Sequence, residues 1–136
     1  EEALAAGAAL ECGHEREGAT YLPTVLTNVV SGMKVDCEEI FGPVVSLYPV
    51  KDLEEGIQRS NAVDFGLQAA VFTSSLESAF RAVEGLEAGA VIVNDSTDYR
   101  MDAMPFGGVK NSGLGREGIR FALQEMTEPK TVCFNL

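Results

Sequence analysis

The spacing of apolar and polar positions divides the chain into short elements. Residues 1–9 read as the tail of a helix, because Glu1-Glu2-Ala3-Leu4-Ala5-Ala6 favours helix and no N-cap residue precedes it. That opening predicts a chain starting inside a longer helix. Residues 21–29 are rich in β-formers but interrupted by Pro23, which predicts an irregular or edge strand. Residues 40–50 are mostly β-branched and aromatic, broken at Gly42-Pro43. Asp52 with Glu55 three places later is a capping box, so a helix is expected from here to Ser60 or Asn61. Residues 69–73 read as a short buried strand. Ser74 and Glu77 make a second capping box, followed by Leu76, Ala79, Phe80, Val83 and Leu86 at helical spacing. Gly89 is the expected stop. Ala90-Val91-Ile92-Val93 is a continuous apolar run, as expected of a strand covered on both faces.

A strand, a capped helix and another strand occur twice in series, which predicts two βαβ units. The class is therefore α/β with a largely parallel sheet. Residues 94–118 form a long polar, glycine-rich loop, and loops of that length usually serve a function. Ile119, Ala122, Leu123 and Met126 mark one face of a last helix that stops before Pro129. Residues 130–136 alternate, with Val132, Phe134 and Leu136 on one side, and predict a half-buried terminal strand. Such a strand needs a partner, and a neighbouring subunit is a candidate. The expected organisation is one domain portion over 1–128 and a terminal strand over 129–136.

Composition narrows the function classes. The chain has 136 residues, 46% hydrophobic, enough for a core. No apolar run reaches the roughly 18 residues of a membrane span, and no basic-then-apolar leader pattern is visible. A net charge of −11 repels phosphate backbones and anionic lipid, which argues against nucleic acid and membrane partners and for a solvated cytoplasmic protein. The three cysteines, Cys12, Cys37 and Cys133, are widely spaced and predict neither a disulfide framework nor a zinc site. His14 is the one histidine and has no metal-ligand or triad partner in sight.

Two stretches offer ligand chemistry. Gly113-Leu114-Gly115-Arg116-Glu117-Gly118 fits G-x-G-x-x-G. It follows no strand directly, and no second strand with an acidic residue comes about 20 positions later, so the dinucleotide fingerprint is rejected. It reads instead as a flexible turn entering the last helix. In Glu38-Glu39-Ile40-Phe41-Gly42-Pro43-Val44, an extended backbone would put Glu39 and Phe41 on one face. A carboxylate accepts from neighbouring sugar hydroxyls, an aromatic face packs on a flat heterocycle, and Gly42 permits close approach. The pair is a candidate ribose-plus-nicotinamide contact; a solvated strand-end charge at Glu39 is the other reading. Cys37 reads as a packing residue.

E-E-I-F-G-P-V is similar to the cofactor-contact motif of the aldehyde dehydrogenase superfamily. So are Tyr21-Leu22-Pro23-Thr24-Val25-Leu26, Gly89-Ala90-Val91-Ile92-Val93-Asn94 and Met104-Pro105-Phe106-Gly107-Gly108-Val109-Lys110-Asn111-Ser112-Gly113. Glu128-Pro129-Lys130-Thr131-Val132 resembles the family's closing strand. The resemblance implies the C-terminal part of the catalytic domain. Glu39 would bind the nicotinamide-ribose hydroxyls of NAD or NADP, and Phe41 would lie against the nicotinamide. Phe106 would sit near the aldehyde pocket, Asn94 would begin the loop lining it, and the terminal strand would join a partner subunit in a homodimer or homotetramer. The family oxidises an aldehyde to an acid through a cysteine thiohemiacetal, with a glutamate activating water. Its nucleophile and general base lie upstream of every motif here, so this chain alone is expected to be inactive. The alternative is a non-catalytic oligomerisation or binding module derived from the same fold.

The loop over residues 94–106 is similar to that of members acting on small hydroxylated or anionic aldehydes. Arg100 is the discriminating residue: a guanidinium in the pocket holds a carboxylate or phosphate through two hydrogen bonds. A surface ion pair with Asp98 or Asp102 is the other reading.

Overall fold

The computed structural model describes residues 1–136, which group into two compact units, Glu1–Lys51 and Asp52–Leu136. The sequence pattern marked no boundary there, because the break falls inside a run of ordinary surface residues next to a helix cap.

The first unit contains α1 (Glu2–Ala5), β1 (Ala9–Cys12), β2 (Arg16–Glu17), β3 (Thr20–Tyr21), β4 (Thr24–Thr27), α2 (Lys34–Cys37) and β5 (Val44–Ser46). The expected helix tail over 1–9 is shorter than read. The chain leaves α1 through Gly7 at φ 105° and enters β1. β4 is central, with β1 antiparallel on one side and β5 parallel on the other. This corrects the edge-strand expectation for residues 21–29. Pro23 lies outside the ladder, between β3 and β4, so its missing N–H interrupts no pairing. Thr24 N–H then donates to Pro43 O at 2.8 Å, starting the β4–β5 contact. Leu26, Val29 and Met33 close over Ala3 and Ala8 as the core of this unit. A 2.8 Å pair between Lys34 and Glu2 ties α2 to α1, with the shared hydrogen bond lowering the carboxyl pKa and raising that of the ammonium.

The second unit contains α3 (Leu53–Asn61), β6 (Phe65–Gly66), β7 (Gln68–Val71), α4 (Leu76–Gly85), β8 (Ala90–Val93), β9 (Val109–Lys110) and α5 (Ile119–Glu125). Asp52 caps α3 as its sequence predicts, accepting from Glu55 N–H at 2.9 Å. The second expected cap is off by one. Ser75, not Ser74, accepts from Ser78 N–H at 3.2 Å, because Ser74 lies one place too early to reach a free N–H of the first turn. β7, α4 and β8 form a βαβ unit in register from Gln68↔Ala90 to Val71↔Val93, with α3 and α4 in contact. Within the first unit the parallel partner of β5 is β4.

Ile57, Ala79, Ala82 and Ile92 are the buried apolar side chains of this unit. Leu76, Phe80 and Val83 keep the predicted helical spacing yet lie exposed, as do Ile119, Leu123 and Met126 on α5. Val93 is exposed too, so β8 is not covered on both faces. Gly89 is not the helix stop, because α4 ends at Gly85 with Leu86 as C-cap. A Cβ on Gly89 would collide with Gly107 O, so its glycine serves close backbone approach. No helix is long and apolar enough to cross a membrane. Residues 130–136 are exposed and have no ladder partner within this chain.

Candidate functional site

Glu39 and Phe41 sit where α2 gives way to β5 in the first unit. Glu38 leaves the helix in an extended conformation, φ −113° and ψ 147°. The run does not stay extended as the i, i+2 argument assumed: Phe41 adopts φ 52°, a left-handed conformation that bulky residues rarely occupy. Downstream, Val44 N–H donates to Gly42 O at 2.8 Å across Pro43, and Pro43 O is held by Thr24 N–H. The ladder thus fixes the base of a tight turn, and the turn throws Phe41 outward at 89% exposure. Phe41 borders an open cleft of about 580 Å³, walled by Leu4, Leu26, Val35 and Val44, with His14 and Tyr21 joined at 2.8 Å at its polar end. Glu39 is exposed, and its carboxylate makes no hydrogen bond to the protein. Cys37 is exposed rather than packed, because it faces out from a one-turn helix, and its thiol donates to Met33 O at 3.3 Å.

The substrate-side candidates lie in the second unit, and the structure brings them together. Phe106 and Glu117 form a two-residue antiparallel bridge, Phe106 N–H to Glu117 O at 3.0 Å and Glu117 N–H to Phe106 O at 2.6 Å. β9, inside the same segment, pairs with β6 outside it. The glycine-rich stretch over 94–118 is therefore pinned by ladder bonds rather than being one long free loop. The Arg100 guanidinium lies 4.1 Å from the centre of the Phe106 ring and pairs with the Glu117 carboxylate at 3.0 Å. Neither Asp98 nor Asp102, the partners expected from proximity in sequence, takes that place; Asp98 accepts from Ser96 instead. Phe106 and Glu117 also border a cleft of about 400 Å³ with Leu67, Gly107, Ala122 and Met126.

Asn94 stands at the start of the loop and is held through both backbone and side chain. At φ 60° its N–H bonds Val71 O at 2.8 Å and its side-chain oxygen accepts from Thr73 N–H at 2.8 Å, locking the ends of β7 and β8 together. The glycines of the rejected fingerprint deliver the chain into α5, with Gly118 as N-cap at φ 125°. Nowhere do three or more His, Cys, Asp or Glu side chains gather to hold a metal ion.

Residues 1–132 match the family model described as the aldehyde dehydrogenase family. The chain belongs to that family. This aldehyde dehydrogenase chain is 48% identical to a 3-sulfolactaldehyde dehydrogenase of Priestia megaterium over 99% of its own length and 28% of the relative's. Among solved structures it resembles aldehyde dehydrogenase 21 of Physcomitrella patens in complex with the reaction product succinate. The TM-score is 0.90 at 45% identity, over 93% of this chain and 26% of that one. It also resembles an NADP-dependent glyceraldehyde-3-phosphate dehydrogenase of Bacillus halodurans complexed with NADP, with a TM-score of 0.88 at 44% identity over 93% and 27% of the two chains. The chain thus spans about a quarter of the length of the relatives it matches.

For this aldehyde dehydrogenase chain, sequence reasoning named Arg100 and Phe106 but missed Glu117. Glu117 lies 17 residues from Arg100, inside a segment read as a flexible turn, and no periodicity links the two.

Proposed function

We propose that this chain is the part of an NAD(P)-dependent aldehyde dehydrogenase that meets the nicotinamide end of the cofactor and lines the aldehyde pocket. The complete protein would oxidise a small hydroxylated or anionic aldehyde to its acid through a cysteine thiohemiacetal, with nucleophile and general base outside this chain. Arg100 lying on Phe106 carries the substrate part of this reading. A guanidinium over an aromatic face, with Glu117 on one terminal nitrogen, still has further N–H groups to offer an anion. The residues present also fit the cofactor. Glu39 is an exposed carboxylate with unused acceptors, suited to two ribose hydroxyls, and Phe41 is an exposed ring held out by a strained turn. Bound there, the nicotinamide would supply the hydride acceptor for the oxidation. Glu39 and Phe41 would orient it, and Arg100 would hold the far end of the aldehyde.

Steady-state kinetics of the complete protein test both halves. Glu39→Gln is expected to raise the KM for NAD or NADP about tenfold or more, the worth of a charged acceptor. Arg100→Ala is expected to raise the KM for succinic semialdehyde far more than that for butanal. An unmoved cofactor KM removes Glu39 from the site, and equal effects on the two aldehydes remove Arg100. The 136-residue chain by itself is expected to reduce no cofactor.

The acidic surface and the free thiols support a reducing, cytoplasmic setting. The exposed, alternating residues 130–136 support pairing with a second subunit in a homodimer or homotetramer. That same feature favours the second reading, a non-catalytic assembly module, which active complete protein would rule out.

A further inference from the structure

We infer that Glu117 is a positioning residue for Arg100, holding the guanidinium over Phe106 so that its remaining N–H groups meet an anionic aldehyde; this deepens, and rests on, the reading of Arg100 as the anion anchor. Arg100 stands in a segment with no helix or strand of its own, between β8 and the Phe106 bridge. A long side chain on such a segment samples many rotamers, and fixing it costs entropy that a substrate would otherwise have to supply. Two contacts restrain it, and they share one rigid base. The bridge bonds of 3.0 and 2.6 Å fix the backbones of Phe106 and Glu117 side by side. The ring, 4.1 Å from the guanidinium carbon, restrains the group from one side, and the carboxylate at 3.0 Å ties down one of its terminal nitrogens. Glu117 occupies one terminal nitrogen of the fork, Nη2. The other guanidinium nitrogens make no bond to the protein and stay available to an anion.

The ring alone cannot do this, because contact with an aromatic face does not fix which way the N–H groups point. The carboxylate removes that freedom. Glu117 also acts by charge, so an amide in its place keeps the shape but weakens the hold. The Glu117 side chain is 69% exposed, so Glu117→Gln fits without repacking.

The test is a double-mutant cycle in the complete enzyme, with Arg100→Ala, Glu117→Gln and their combination, read on succinic semialdehyde and on butanal of the same chain length. Glu117→Gln should raise the ratio of the two KM values, carboxylate over neutral, by up to about fivefold, the upper end for an exposed ion pair. On succinic semialdehyde the effect should fall on KM more than on kcat. With Arg100 already removed, Glu117→Gln should add nothing to the ratio. If Arg100→Ala shifts the ratio and Glu117→Gln does not, the positioning role fails while the anchor stands. Additive effects would overturn the positioning role in the same way, and so would a fall in the ratio, which would make Glu117 a competitor of the substrate. If Arg100→Ala itself leaves the ratio unmoved, the anchor reading fails and takes this inference with it.

Discussion

At the scale of single residues, several side chains stitch distant parts of the second unit together. Lys110 Nζ donates to Asn61 O at 2.8 Å and to Val63 O at 3.2 Å, and pairs with Glu87 at 2.7 Å. Asn61 in turn donates to Gly85 O at 2.7 Å and accepts from Glu87 N–H at 2.8 Å. Lys110→Met is therefore expected to destabilise the chain by about 1–2 kcal/mol, since hydrogen bonds from a charged donor are lost while two carbonyls keep only water. Urea denaturation checks this, and a midpoint within error of the wild type would show that the three contacts do not act together. Such residues were not legible in the sequence. Lys110 and Asn61 are 49 positions apart, and only folding reveals the pairing. Glu39 and Phe41 were proposed as a pair from the sequence, because a carboxylate, an aromatic and Gly-Pro occur within five positions. The left-handed backbone that projects Phe41 was not, since nothing in a phenylalanine's chemistry calls for it.

At the scale of elements, the helices were readable where a cap and a spacing agreed. α3 follows its cap to the residue, while α4 begins one residue later than its Ser-x-x-Glu pattern suggests. The register difference gives a sharp expectation. Ser75→Ala should lower stability by about 1 kcal/mol, whereas Ser74→Ala should be close to neutral. Thermal unfolding of the two variants decides, and the opposite order would put the cap back at Ser74. Strands were harder. β6 and β9 have two residues each, too few for alternation to show. β1 is exposed along most of its length, so burial wrote no pattern into it. β4 was found but misplaced at an edge, because Pro23 is read as a ladder breaker without knowing that the ladder begins one residue later.

At the scale of the whole chain, fold class and family were legible, because the motifs run in order along nearly all of it and the family model matches residues 1–132. The division at Lys51 was not. Exposed apolar side chains on α4 and α5 keep helical spacing without burial, and side chains of that pattern normally face a partner surface. The 136-residue chain alone is thus expected to bind a hydrophobic dye such as ANS, and the complete protein far less. Equal binding by both would mean these faces stay bare in the complete protein. Residues 130–136 belong to the same account. Their deletion from the complete protein should lower its native mass to that of a smaller assembly, and an unchanged mass would leave subunit pairing to other surfaces.

The contact between Gly89 and Gly107 reaches furthest beyond the contacts themselves. The entry to β8 and the backbone beside Phe106 touch with no side chain between them, and a Cβ on Gly107 would in turn meet Gly115 O at 2.6 Å. The alphabet at these positions shrinks to one letter. In a saturation library selected for function, columns 89 and 107 should come back as glycine alone, while exposed positions such as Glu128 accept most replacements. Side chains between these glycines can then change freely, while the spacing between loop and sheet stays the same.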